Sequence, residues 1–368
     1  MTLLIAALAA ASFLLCVILL PGVISIAHKT GFLDLPGPRK IHTSPIAYGG
    51  GVAVTLAFVV PIVAGVIGAI LITKGTTFGL PDEVTRHAAG VLAKFRELAV
   101  LLAGAVVICV LGLIDDKKHL GPYTKLAVQT AVAIGFVLGC QRLSLFVAPS
   151  LGGNILGGAI TVLWIVGITN AFNLLDHMDG LTGGVGAIAC AAFGLIAVVS
   201  GQWFLAAALA ALFGACIGFL CFNFPPARVF LGDAGSLTIG YLLATLTVTF
   251  TFYMKGRGIY TYLLPLVVLA VPLFDTASVM LIRLMRRKPL FVGDKNHLAH
   301  RLIALGMSRR TTVLTVYAIT LATALSAVLL IQVDWLGAIL ILSQVALTFV
   351  IITLLEVSGR GNGEDTEP

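Results

Sequence analysis

Apolar residues run along this chain in long unbroken blocks, and polar residues collect in the gaps between them. The blocks cover residues 3–27, 46–72, 98–114, 124–140, 154–171, 181–200, 202–221, 235–253, 260–282, 312–331 and 335–355. About twenty residues of α-helix, rising about 1.5 Å each, cross a hydrocarbon layer of about 30 Å. The pattern predicts an all-α polytopic bundle of eleven transmembrane helices. Pro21, Pro61, Pro265 and Pro272 fall inside blocks and mark expected kinks, which spanning helices tolerate where neighbours satisfy the released carbonyls.

An odd number of crossings puts the two termini on opposite sides and sorts the gaps into two sets. Sixteen of the 23 Lys and Arg lie in 28–45, 115–125, 222–234, 283–311 and the segment after 356; the other seven lie in the alternate set. The positive-inside rule makes the first set cytoplasmic, with the N-terminus outside and the C-terminus cytoplasmic. Residues 1–357 read as one transmembrane catalytic domain, and the polar tail SGRGNGEDTEP, 358–368, as a short disordered cytoplasmic segment. The first block lacks a basic leader and a small-residue cleavage site, so it reads as a retained span. The outward gap 73–97 has room for a short surface helix.

Composition agrees with the pattern. The chain is 59% hydrophobic and 11% charged, with mean hydropathy +1.07, which excludes a soluble core. The net charge of +7 could suggest nucleic acid, but the basic residues border apolar blocks, which fits topology and phosphate contacts. Six cysteines without a paired spacing indicate neither a disulfide framework nor a zinc site.

Carboxylates at the ends of spans are costly and therefore suspect as functional. Four clusters stand on the predicted inner side. Asp115 and Asp116 end the third block in GLIDDKKHLG, with Lys117, Lys118 and Lys125 following. Adjacent carboxylates repel, so the pair reads as a metal-assisted or base site, against the alternative of a solvated, ion-paired loop. In TNAFNLLDHMDGLTGG, Asn170, Asn173, Asp176 and Asp179 recur every third residue. A three-residue step drifts around a helix, so a tightened or unwound end is expected to bring them together on a base, a ribose or a metal. A structural polar seam is the alternative.

Asp233 lies in NFPPARVFLGDAGSLTIGY, flanked by small residues at the start of the eighth block. It can cap the helix or bind a divalent cation, and beside the other acids the cation is favoured. Last, the basic loop RLMRRKPLFVGDKNHLAHRLIALGMSRR holds His297, His300 and Arg301. His297 and His300, three apart, share a helix face, and a phosphate or sugar contact suits them better than zinc.

With these residues in place, the sequence resembles the polyprenyl-phosphate N-acetylhexosamine-1-phosphate transferases, the superfamily of WecA, TagO and MraY. The resemblance runs from Gly31 to Arg310. It rests on GFLDLPGPRKIHTSPIAYGGG, the Asp115–Asp116 pair, NxxNxxDxxDGL from Asn170 to Leu181, GDAGS around Asp233, and the histidine loop, and it is nearest the WecA and TagO branch. It implies transfer of a N-acetylhexosamine 1-phosphate, in first place GlcNAc 1-phosphate, from a UDP-sugar to undecaprenyl phosphate. The products would be the lipid-linked diphosphate sugar and UMP, initiating a cell-envelope glycan at a bacterial inner membrane.

The resemblance further implies Mg²⁺, with Mn²⁺ as a substitute, held by Asp233 with Asn173. Asp176 and Asp179, beside Asn173, would contact the nucleotide. Asp115 would deprotonate or orient the lipid phosphate with Asp116 in support, Lys125 would meet a phosphate, and His297, His300 and Arg301 would meet the diphosphate and sugar. Membrane lipids are implied as surroundings, a homodimer is admitted, and nucleic acid is not expected. One departure concerns the sugar: the WecA-type loop usually carries HxHH, whereas HLAH places Ala299 where a histidine is expected. The alternatives are an MraY-like phospho-MurNAc-pentapeptide transferase and a membrane transporter, though a transporter would place its polar residues near the bilayer midplane.

Overall fold

A computed structural model describes every residue except 37–43, 77–78, 80–84, 141–150, 250–257, 290–295 and 365–368. The middle of the motif GFLDLPGPRKIHTSPIAYGGG and part of the basic loop therefore lie outside the described residues. The chain divides into two compact units, Met1–Phe250 and Thr251–Pro368.

The first unit contains α1 (Thr2–Thr30), a short antiparallel pair β1 (Leu33–Asp34) and β2 (Ile46–Ala47), α2 (Gly50–Thr73), and the short α3 (Ala88–Ala93) in the gap after α2. It continues through α4 (Phe95–Lys118), α5 (Pro122–Gly139), α6 (Leu151–Leu175), α7 (Leu181–Val199), α8 (Trp203–Asn223) and α9 (Gly232–Thr249). Its centre is α9, in which every residue from Ala234 to Val248 is buried. Helices α2, α4 and α6 pack around it.

Small residues make that closeness possible. A Cβ on Gly51 would sit 2.1 Å from the Gly235 nitrogen, and one on Gly112 would sit 2.3 Å from the Ala234 nitrogen. Helices without a solvent-driven hydrophobic force between them associate through such close backbone contact. The buried hydroxyls of α9 turn back on their own helix: Thr238 donates to the Ala234 carbonyl and Thr245 to the Tyr241 carbonyl, both at 2.7 Å. A polar group in hydrocarbon thus finds its partner locally.

The second unit contains a 3₁₀ turn (Ile259–Leu263), α10 (Leu264–Val268), α11 (Ala270–Met285), α12 (Leu298–Ala304), α13 (Arg309–Leu330) and α14 (Trp335–Glu364). Its first apolar block is not one straight span. Ile259–Val268 and Ala270–Met285 meet at 71°. Pro272 lies in the first turn of α11, where its missing N–H and its ring interrupt helical continuity. Pro21 and Pro61, by contrast, lie inside continuous helices.

Among the described residues, helix is present in each predicted block, with β2 at the start of 46–72, and α14 continues to Glu364, into the stretch read as a tail. Among the described residues, eight helices are long and apolar enough to cross a membrane, nine if the bent pair counts as one. Helices α5 and α9, 18 residues each, fall outside that set; α5 carries Lys125 and Gln129, and α9 carries Asp233 and a run of threonines.

Candidate active site

The segment before α9 is fixed first, because it carries Asp233. Val229 bridges Ala47 in parallel, the Phe230 N–H donates to the Ala47 carbonyl at 2.8 Å, and the Gly50 and Gly51 N–H groups donate to the Phe230 and Leu231 carbonyls at 3.0 Å. The segment around β2 and the start of α2 thereby holds residues 229–231 through one bridge and three backbone hydrogen bonds. Tyr48 packs its ring against Phe32 at 5.5 Å and edge-on against Phe230 at 6.0 Å. Gly232 then turns with φ +69, a conformation glycine adopts without strain. A Cβ there would also lie 2.5 Å from Asp116 Oδ2.

Asp116, carried by the last turn of α4, caps α9 from outside. Its Oδ1 accepts from the Asp233 N–H at 2.8 Å and its Oδ2 from the Ala234 N–H at 3.2 Å. Asp233 is thus released from capping, and its carboxylate faces two donors from other helices. Lys125 Nζ on α5 reaches Oδ2 at 2.8 Å, and Asn173 Nδ2 on α6 reaches Oδ1 at 2.9 Å. The same ammonium contacts Asp115 Oδ2 at 2.7 Å, while Asp115 Oδ1 accepts from the Leu120 N–H at 2.5 Å. Asn173 Nδ2 also meets Ser236 Oγ at 3.0 Å. Five predicted residues, Asp115, Asp116, Lys125, Asn173 and Asp233, therefore form one network at the ends of four helices.

The Asn170–Asp179 stretch is divided by the end of α6. The helix stays regular through Leu175, so Asn170 and Asn173 remain helical, and a tight turn follows with the Asp176 N–H bonded to the Asn173 carbonyl at 3.2 Å. The expected unwinding is confined to Asp176 and Asp179. Asp179 Oδ2 accepts from the Ala227 N–H at 3.1 Å. Asp176 lies in the turn between spans. Burial pushes its carboxyl up to about 8, and the charges of Asp233, Asp116 and Asp179 push the same way.

Asn223, at the end of α8, joins the two halves of this region. Its Oδ1 accepts from the Gly180 N–H at 2.7 Å and its Nδ2 donates to the Val229 carbonyl at 2.8 Å. Sequence reasoning passed over it, although a buried amide at a span end was a visible signal.

In the second unit, His297 begins α12. Its Nδ1 lies 2.8 Å from Asp275 Oδ2, and the Leu298 N–H donates to Asp275 Oδ1 at 2.5 Å. Arg301 meets Ser278 Oγ at 3.1 Å, the Asn296 carbonyl at 2.6 Å and Glu356 at 3.0 Å. His297, Arg301 and Asp275 are buried and His300 is half-buried, its ring 6.5 Å from that of His297. Asp275 was missed, yet a lone carboxylate in the apolar run PLFDTASVM was the strongest such signal in the unit.

The donor chemistry of the first unit's centre suits a hard divalent cation. Asp115, Asp116, Asp176 and Asp233 supply carboxylate oxygens and Asn173 an amide oxygen, and Lys125 is the cation that bridges Asp115 and Asp233. Beside the centre, α5 and α6 enclose an open apolar groove of about 550 Å³ that begins at Leu126 and is lined by Thr130, Ile134, Ala159, Val162 and Val166.

The chain is similar in sequence to known proteins. Residues 98–251 match the family described as Glycosyl transferase family 4. The chain is similar to a protein of Bacillus subtilis named probable undecaprenyl-phosphate N-acetylglucosaminyl 1-phosphate transferase, with 32% identity over 96% of this chain and 90% of that protein. It is 31% identical to decaprenyl-phosphate N-acetylglucosaminephosphotransferase of Mycobacterium tuberculosis, over 79% of this chain and 74% of that protein. It is 34% identical to phospho-N-acetylmuramoyl-pentapeptide-transferase of Desulforudis audaxviator, over 63% of this chain and 72% of that protein.

Proposed function

Because this chain belongs to the polyprenyl-phosphate N-acetylhexosamine-1-phosphate transferases, we propose that it moves GlcNAc 1-phosphate from UDP-GlcNAc to undecaprenyl phosphate. The products are undecaprenyl-diphosphate-GlcNAc and UMP, and the reaction starts a cell-envelope glycan. The observation that carries this reading is the single network of Asp115, Asp116, Lys125, Asn173 and Asp233 at adjoining helix ends. The reading includes eleven crossings, an outside N-terminus and a centre on the cytoplasmic face of a bacterial inner membrane, supported by the split of basic residues between the two sets of gaps.

In the transfer, an oxygen of the lipid phosphate attacks the β-phosphorus of the donor. The bond from that phosphorus to the bridging oxygen breaks, and UMP leaves with the electron pair. Such chemistry needs positioning and charge neutralisation more than covalent help. Asp115, oriented by Leu120 and Lys125, accepts or directs the proton of the lipid phosphate. Lys125 offsets phosphate charge, and Asp116 fixes the helix start that presents Asp233.

Asp233 and Asn173 would hold Mg²⁺, which supplies Lewis-acid stabilisation of charge on the transferred phosphate. Asp176 and Asp179 would contact the nucleotide. The groove at Leu126 offers a prenyl chain an apolar path that starts one residue from Lys125. His297, His300 and Arg301 are assigned to the diphosphate and sugar; of the three, only His300 is not buried.

The test is UMP release by purified protein in detergent with undecaprenyl phosphate and Mg²⁺, offering UDP-GlcNAc, UDP-GalNAc and UDP-MurNAc-pentapeptide in parallel. Release with UDP-GlcNAc, lost with EDTA or without the lipid, is expected. Release with UDP-MurNAc-pentapeptide alone would make the protein an MraY-like enzyme instead.

A further inference from the structure

Gln129 lies one helical turn beyond Lys125 on α5, and Asn170 lies one turn before Asn173 on α6. The two therefore share the faces that present Lys125 and Asn173 to Asp233. Asn170 Nδ2 donates to Gln129 Oε1 at 2.5 Å and to the Val166 carbonyl at 2.8 Å. Gln129 is 2% exposed, and its Nε2 has no hydrogen-bond partner among the described residues. Rotating the amide would set two NH₂ groups against each other, so the oxygen must face Asn170 and the donor must stay unmet. A buried donor without a partner costs stability, and a leucine would avoid that cost. The residue is thus placed against stability in a wall of the centre.

We propose that Gln129 is a positioning residue: with Asn170 it braces α5 against α6 so that Lys125 and Asn173 flank Asp233. The α5–α6 pair is then tied twice, once through Asp233 and once through this bridge, and the spacing of the two donors is held. A misplacement of about 1 Å can lower turnover by about 100-fold. The proposal rests on the reading of the centre as a phosphoryl-transfer site.

The test compares full-length wild type with Gln129→Leu and with the exchanged pair Gln129→Asn/Asn170→Gln, which keeps the combined length of the two arms. In Gln129→Leu, Asn170 keeps its bond to Val166 and one of its N–H groups loses its acceptor, while both unmet N–H groups of Gln129 are removed, so fewer donors are left without a partner. The expected result is a melting midpoint in detergent equal to or above wild type, with kcat for UMP release lowered at least about 10-fold and donor KM within about threefold. The exchanged pair should recover kcat above that of either of its single substitutions. Wild-type kcat in Gln129→Leu overturns the proposal, and so does a midpoint clearly below wild type, which would mark an ordinary packing role. Should wild type itself release no UMP, the transferase reading fails separately. The melting comparison then still decides whether Gln129 is held against stability.

Discussion

Asp116 caps the helix that carries Asp233, taking the Asp233 and Ala234 N–H groups on its two oxygens at 2.8 and 3.2 Å. One carboxylate thereby aims another, across a separation of 117 residues. In Asp116→Asn the side-chain NH₂ would face one of those N–H groups, donor against donor. Expression should persist while UMP release falls at least about 100-fold. Near-wild-type turnover would mean that the cap does not orient Asp233.

Asp233→Asn and Asp115→Asn should each lower activity at least about 100-fold with the protein still folded, because each removes charge rather than volume. Lys125→Met should do the same and also lower the melting midpoint, since it leaves two carboxylates close together without their shared ammonium. Initial-rate and melting measurements on one preparation check both statements. An active Asp233→Asn enzyme would remove Asp233 from the proposed cation site.

Gly112→Ala would place a methyl group 2.3 Å from the Ala234 nitrogen. The backbone of α9 cannot yield as a side chain would, so the helices must separate. We expect destabilisation of about 1–3 kcal/mol or more, read as a lower melting midpoint, together with lost activity. Gly152→Ala, where a Cβ meets nothing within 4 Å, serves as the control and should be silent.

Asp176 sets a pH dependence. Its carboxyl is raised from 3.8 to about 8 in the folded protein, so the folded state holds the proton longer than the unfolded chain. Stability from this group is full below about pH 4 and is lost as pH rises towards about 8. Melting of metal-free protein should therefore weaken across that window, and Asp176→Asn should flatten the dependence. An unchanged slope in the variant would show that Asp176 is not the group titrating.

Much of this architecture was legible because apolar runs long enough to span leave little choice of structure. The site was legible in its residue types and less so in its connections. That Asp116 would cap α9 depends on α4 and α9 approaching through Gly112, which no local pattern reveals. The three-residue repeat of Asn170 to Asp179 suggested unwinding, yet the helix holds through Leu175 because Asn170 and Asn173 find partners on α5 and α9. Asn223 and Gln129 are single amides in apolar surroundings, and their roles appear only once two loops or two helices are brought together. Asp275 could have been found from its sequence alone, as a carboxylate inside an apolar block.

The most direct measurement follows the phosphorus. UDP-GlcNAc labelled with ³²P at the β-phosphate is incubated with the purified protein, undecaprenyl phosphate and Mg²⁺, and lipid and aqueous fractions are separated. Transfer of a sugar phosphate carries the label into the lipid, with one UMP released for each label moved. Label remaining in the aqueous fraction as UDP, with sugar alone on the lipid, would contradict the account.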